Sequence, residues 1–507
     1  MDMTISKKQI HSLQTIYEGF DERPVDCDFV LPEYMPDIAS VLKCIMTPTV
    51  QTYQVSGDRV TVDGTVMLQV LYLDEGRKCV RCFENVQPFT AVFTVKNSGE
   101  SLSAVAKTNY VNCRATGPRR VDVHGAFTVK LSVQGNEEEE IIDGVENSCV
   151  FSKSQRVSFS RQSAYAQKHA SVNEVIEISS DPIEMILRTE AIPSVTDCRI
   201  LPGKAIVKGE VLCKTVYVTN STSGEMAVNE TPILFSQIID VEGLTEEMLC
   251  DHDVCMSSWE MHPTQNVGGE NKLLSFGGKL CFTIRGYQTE NARVLTDVYH
   301  TKYPLKTERK ASSLYKILDI VSGKQTASTT VELSGADNKS VLDCWCTVNG
   351  VVNRKEGKQS YVDVQLIVSL LVCDEDNTVS YYERPAEICL VGAETEGETQ
   401  AAVTVIKTEA RIGNGDAHIT LTLSVKETCY CLETVSALCQ IEQSGETPYA
   451  VKDDLSGCCM KVYFASAGES VWDIAKTQHV SVDDLCAENA LDADVLPEDT
   501  MLLLTME

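Results

Sequence analysis

Cys250-x-His252-x-x-Cys255, with His262 seven residues on, is the set of side chains in this 507-residue chain best suited to hold a metal. Two thiolates and two imidazoles are the donors of a tetrahedral zinc site. C-x-H-x-x-C is an uncommon zinc spacing, however, and corresponding stretches elsewhere in the chain carry no such set. We read these residues as buried or edge-strand side chains and expect no metal. Cys79-Val80-Arg81-Cys82 has the spacing of a redox pair. Such pairs work at a helix N-terminus, where the dipole lowers the thiol pKa. Here the pair follows the apolar run LQVLYLDE and a turn at Gly76, which predicts a hairpin strand instead.

Catalysis has little to stand on. The chain has no G-x-x-x-x-G-K-[ST], G-x-S-x-G or H-E-x-x-H, and Gly277-Gly278-Lys279 lacks the rest of a phosphate loop. Eight histidines are scattered singly. Glu469 and Asp473 are near enough to suggest a glycosidase pair, but helix-start chemistry explains both. We expect no enzyme and no cofactor.

The elements around Glu469 and Asp473 are the most specific in the chain. Lys461 to Glu507 reads as a short apolar run, two helices and a second apolar run, a β-α-α-β order. Ser470 stands three residues before Asp473, and Ser481 three before Asp484. Each serine is placed to accept from a free N–H of the first turn, with the carboxylate at the positive end of the helix dipole. Val471, Ile474 and Ala475 fall on one face of the first helix. Asn489 is the expected stop of the second. Trp472 is read as a core residue rather than a platform for a sugar.

These residues resemble the LysM domain: VYFAS as first strand, Gly468-Glu469-Ser470 where the family usually has Gly-Asp-Thr, then Val471-Trp472-Asp473-Ile474-Ala475, and Pro497 to Leu504 as last strand. LysM domains generally bind N-acetylglucosamine glycans in a shallow groove, and some copies recognise proteins. The resemblance places that groove between Gly468, Glu469, Ser470 and Val471 on one side and Asn489, Ala490, Leu491 and Asp492 on the other. Two departures are Glu-Ser for Asp-Thr, and Pro497-Glu498-Asp499 where the family has Pro-Gly-Gln. With ten acidic residues against Lys461 and Lys476, the module suits a basic protein partner better than a neutral glycan.

The acid excess runs along the whole chain, whose formal net charge is −29. Nucleic acid and anionic membranes need Lys and Arg to replace counterions, so neither is expected as a direct partner. The longest acidic run, Glu137 to Glu140, is expected to be a solvated turn. The start MDMTISKKQIHSLQTIYEGF has no apolar signal core and no 18-residue apolar run follows, which predicts a cytosolic protein without membrane insertion. In that compartment the 21 cysteines read as reduced, small apolar residues.

Before residue 458 the chain repeats itself. DRVTVDGTVMLQVLYLDE from Asp58 matches GKAIVKGEVLCKTVYVTN from Gly203, with Gly64 and Gly209 each eight residues before Tyr72 and Tyr217. GKQSYVDVQLIVSLLVCDED from Gly357 is a looser third copy, with Asp363 at the glycine position. Glu84, Glu230 and Glu383 precede Phe89, Phe235 and Ile388 by five. Period-two alternation of Val, Ile, Leu and Thr predicts strands. The expected fold is mainly β: three antiparallel sandwich or barrel-like repeats followed by the small βααβ module. The stretches Ile38–Cys44 and Ile183–Thr189 are expected to be single helical turns. The expected boundaries are 1–170, 171–308 and a divergent 309–445, a linker 446–457, and 458–507.

This order of β units and LysM, with DCDFVLPEYMPDIASVL near the start and DVYHTKYPLKTE after the second unit, resembles the clostridial spore-coat family of SipL-like, SpoIVA-interacting proteins. The repeat brings no catalytic residues. The resemblance implies a mother-cell cytosolic scaffold, recruited to the forespore surface, that docks through LysM on the coat morphogenetic ATPase. The alternative is a glycan- or peptidoglycan-binding protein.

Overall fold

The computed structural model describes residues 3–76, 79–96, 101–179, 181–333, 339–375, 378–413, 415–445, 447–449 and 460–505. Three units with one strand order precede a small C-terminal domain. The first comprises β1 (Thr4–Val30), β2 (Ile38–Ser56), β3 (Arg59–Asp74), β4 (Val80–Thr94), β5 (Ser101–Gly117) and β6 (Arg120–Glu146). The second repeats this as β7 (Val150–Glu177), β8 (Met185–Leu201), β9 (Lys204–Asn220), β10 (Glu225–Asp240), β11 (Leu249–Thr264) and β12 (Leu273–His300). The third is β13 (Leu305–Glu332), β14 (Ser340–Glu356), β15 (Gln359–Cys373), β16 (Val379–Glu394), β17 (Glu398–Gly413) and β18 (Asp416–Gln443).

Each unit is a sandwich of two three-stranded antiparallel sheets, ordered β2-β3-β4 over β1-β6-β5 and likewise in the other two. The alternation read in the sequence is the reason. Val60, Val62, Val66, Leu68 and Val70 of β3 face Val121, Val123, Val129 and Leu131 of β6, and all are buried. Two-residue turns carrying Gly57, Gly203 and Gly357 at positive φ join the first two strands of each meander. L side chains avoid that conformation.

The repeat's landmarks are a cross-strand pair. Gly64 lies opposite Phe89 and Gly209 opposite Phe235. A Cβ on Gly209 would sit 2.1 Å from the Ser194 carbonyl oxygen and 2.5 Å from the Phe235 ring. In the third unit Ile388 replaces the aromatic ring and lies opposite Val364, so no glycine is needed.

The units close on one another in a ring. β4 touches β8, β10 touches β14, and β16 touches β2. Leu71, Val80, Leu187, Val216, Trp345 and Leu371 form a shared core there. The long outer strands project beyond the sandwiches and pack together, burying Ile10, Ile141, Phe159, Val294, Leu314 and Val435 from all three units.

Several expectations change. Ile38–Cys44 lies in β2, and from Met185 the second stretch lies in β8; neither contains a helical turn. Bulges at Ile38/Ser40, Val41/Lys43 and Ile186/Arg188 interrupt the two-residue period and produce the helix-like spacing of apolar residues. Glu137–Glu140 is not a turn but the middle of β6, paired with Gln9–Ser12. Glu139 turns toward the third unit and accepts hydrogen bonds from Lys310 at 2.7 Å and Ser312 at 2.6 Å. Residue 170 falls inside β7, whose partner is β12, so the sheets divide the first two units between β6 and β7.

Candidate functional site

The C-terminal domain is β19 (Met460–Ala465), α1 (Val471–Gln478), α2 (Val482–Asn489) and β20 (Thr500–Thr505), with β19 and β20 paired antiparallel. Both serine caps form: Ser470 Oγ accepts from the Asp473 N–H at 3.4 Å and Ser481 Oγ from the Asp484 N–H at 3.1 Å. Val471, Ile474 and Ala475 are buried, as their spacing predicts. The left-handed residue ending α2 is Ala490, not Asn489. Asn489 is the last helical residue, and its amide ties the helix to β20. It donates to the carbonyls of Leu485 at 2.9 Å and Leu503 at 2.8 Å and accepts from the Leu503 N–H at 2.7 Å.

The other expected groove residues play different parts. Gly468, at φ 89°, and Glu469 form an open lip, with Glu469 accepting from the Tyr463 hydroxyl at 3.3 Å. Val471 and Leu491 belong to the domain's core, Ser470 is spent as a cap, and Ala490 and Asp492 are exposed. The lip is laced to residues 494–496 by backbone bonds from Gly468 to Leu496, Val471 to Asp494 and Leu496 to Glu469. A second surface was not foreseen. Met460, Val462, Phe464, Met501 and Leu503 are all exposed on the outer face of the two-stranded sheet, Phe464 at 77 %. Val462 pairs with Leu503 and Phe464 with Met501, so the strip is continuous. The alternation of VYFA and MLLL carried that signal.

Trp472 is partly buried against the domain's core cluster, which Tyr299 of β12 and Phe151 of β7 join. It packs edge-on against Tyr299 of β12 at 5.0 Å, and its indole N–H donates to Asp297 at 2.8 Å. Lys476, one turn on, reaches both Asp297 oxygens at 2.7 and 2.8 Å, and Arg309 adds a second cation at 2.9 Å. The Tyr299 hydroxyl donates to the Val480 carbonyl at 2.8 Å. His479 stacks on Tyr449, and burial holds its pKa below the ordinary histidine value. Burial pushes the Asp297 carboxyl up, but hydrogen bonds from Lys476 and Trp472 overcome it and hold the group below the usual carboxylate range. Asp297 and Tyr299 lie in the phrase DVYHTKYPLKTE, which therefore builds the seat of the C-terminal domain.

The metal-like set is separated by the pleat and by distance along the strand. Cys250 and His252 of β11 lie beside Cys198 of β8, whereas Cys255 pairs with Cys281 of β12 and His262 lies against Glu260 at 3.3 Å. Among the described residues no group of three or more His, Cys, Asp or Glu is placed to hold a metal. Cys79 and Cys82 are buried at the hairpin leading into β4, and burial pushes both thiols up, the reverse of a redox-active pair. None of the nineteen described cysteines is joined in a disulfide; Cys458 and Cys459 lie outside the described residues.

Fold and site together define a class: a ring of β-sandwich repeats carrying a small binding module of LysM geometry. Residues 37–116 and 182–261 match the SipL SPOCS domain, and residues 466–505 match the LysM domain. The chain therefore carries SipL SPOCS and LysM domains, which indicate a sporulation-related LysM protein, and both matched families are binding domains. Each SPOCS match spans the meander and the strand after it, and β14–β17 repeat that order in the third unit. Neither the curated proteins nor the solved structures contain a match to this chain. Among the described residues no helix is long and apolar enough to cross a membrane.

Proposed function

We propose that this protein is a non-enzymatic scaffold of spore-coat morphogenesis, acting in the mother-cell cytosol and docking through LysM on the coat morphogenetic ATPase at the forespore surface. The observation that carries this reading is the way LysM is held. Helix α1 is spent on the seat at Asp297 and Tyr299, while the Gly468–Glu469 lip and the Met460–Phe464 strip stay open. An apolar strip on an acidic module favours a protein partner with an apolar, basic-rimmed surface. The ring of β units would then fix LysM to the rest of the coat layer.

The alternative is a glycan partner, favoured by the open lip, which lies where LysM domains hold N-acetylglucosamine chains. Pull-down with the full chain from sporulating cells, in parallel with incubation on purified peptidoglycan, separates the two. Recovery of the ATPase, lost in Glu469→Lys and Phe464→Asp with the β units still folded, supports docking. Retention on peptidoglycan without the ATPase replaces it with the glycan reading.

A further inference from the structure

A slot of about 480 Å³ opens at one edge of the second sandwich, between Glu174–Glu177 of β7 and Thr231–Leu234 of β10. Both strands are sheet edges: among the described residues β7 pairs only with β12, and β10 only with β9. Buried Ile176 and Ile233 face the sandwich interior from the two lips, while Val175 and Leu234 are exposed on the outer faces, Leu234 at 78 %. Farther along the same two strands Lys168 of β7 donates across to the Ile238 carbonyl of β10 at 2.7 Å. The corresponding edge of the third unit is bridged by Gln325, donating to the Val391 carbonyl at 3.0 Å.

Sheet edges are usually guarded by proline, charge or covering chain. β10 has Pro232 in this stretch, which removes one donor from its edge. β7 has no proline in its stretch, so its outward backbone groups remain available to a further strand. A strand added there would place alternate side chains into the slot toward Ile176 and Ile233 and the others beside Val175. Glu174 and Glu177 are exposed at the same lip.

We propose that the β7 edge of the second unit is a docking site for an extended protein segment with apolar residues for the slot and Lys or Arg to meet Glu174 and Glu177. The occupant is fixed by charge complementarity: two carboxylates border the slot on a chain of net charge −29. The site is separate from LysM and stands or falls independently of it.

The test uses the full-length protein and two labelled synthetic octapeptides, alternating Lys-Val and alternating Glu-Val, followed by fluorescence anisotropy. Saturable binding of the Lys-Val peptide alone is expected, weakened at least tenfold in Glu174→Lys/Glu177→Lys. Hydrogen exchange on the complex should slow within residues 172–177. No binding by the native protein, binding unaffected by the double variant, or protection confined to other strands would overturn the proposal. Concentration-dependent dimerisation that is lost in the double variant would assign the edge to a second copy of this chain instead.

Discussion

Arg188 donates to Asp343 at 2.8 Å, and the two residues occupy the same place in two different units. Val41-Leu42-Lys43, Ile186-Leu187-Arg188 and Val341-Leu342-Asp343 are equivalent, so the third unit reverses the charge that the other two carry. Asp343 is nearly inaccessible and also meets Lys214 at 2.8 Å, while the Arg188 guanidinium lies over the Trp345 ring at 4.5 Å. Lys43 pairs with Glu383 of the third unit. Three cations at these positions would repel one another around the ring. With Asp343 there instead, one carboxylate of the third unit meets two cations of the second.

Asp343→Asn should therefore destabilise the ring by about 3–5 kcal/mol, because the buried Arg188 and Lys214 lose the carboxylate they share and keep only the less buried Glu190 and Glu230. Urea unfolding of the full chain reads this directly. Arg188→Met combined with Asp343→Leu should recover part of the loss. A shift under 1 kcal/mol in Asp343→Asn would mean that the pair contributes little to holding the units together.

Asp297→Asn should loosen LysM without unfolding the units. The substitution removes the charge that Lys476 and Arg309 share, and charge-assisted hydrogen bonds of this kind are worth about 1.5–3 kcal/mol. Cleavage by added protease between residues 446 and 459 should become faster, while the main thermal transition of the sandwiches stays in place. Unchanged cleavage would show that the edge-on packing of Trp472 against Tyr299 suffices to seat the domain.

The LysM module was legible because its determinants are short-range: a serine three residues before each capped N–H, and Val471, Ile474 and Ala475 on one helical face. The glycine and aromatic landmarks were legible as a repeat, but their cause, Gly209 beneath Phe235, is a pairing across strands. The bulges near Lys43 and Arg188 misled because period two is a rule for unbroken strands. Trp472 and Asp297 are separated by 175 residues, and no local pattern specifies that contact. Alternation likewise predicts faces for β4, β8, β10 and β16 without saying which edges meet.

Acid should open the molecule through two carboxyls whose pKa values are depressed in the folded state. For Asp343, burial raises the pKa, but Arg188 and Lys214 outweigh it and the net shift is downward, as it is for Asp297. Groups of this sign stabilise the fold fully above the unfolded carboxyl pKa of about 3.9, and the contribution is lost as pH falls through the folded value. Stability should be flat from pH 7 to about 5 with respect to these groups and should fall below about 4. Asp343→Asn should flatten that acid limb in urea titrations at pH 3 to 5. An equally steep limb in the variant would move the acid sensitivity to other carboxyls.

Gly209→Ala tests whether the repeat's glycine is there for space. The added Cβ would meet the Ser194 carbonyl of β8 and the Phe235 ring of β10 at once, both well inside van der Waals contact. Overpacking of this kind costs about 1–3 kcal/mol. Gly209→Ala with Phe235→Leu should regain only part, because the clash with the β8 backbone persists after the ring is trimmed. Replacing Asp363, the residue that aligns with Gly209 in the third copy of the repeat, with Ala should cost less than Gly209→Ala, since it lies opposite Cys389 rather than an aromatic ring. Equal losses at 209 and 363 in urea unfolding would show that the position is sensitive for a reason other than the aromatic pair.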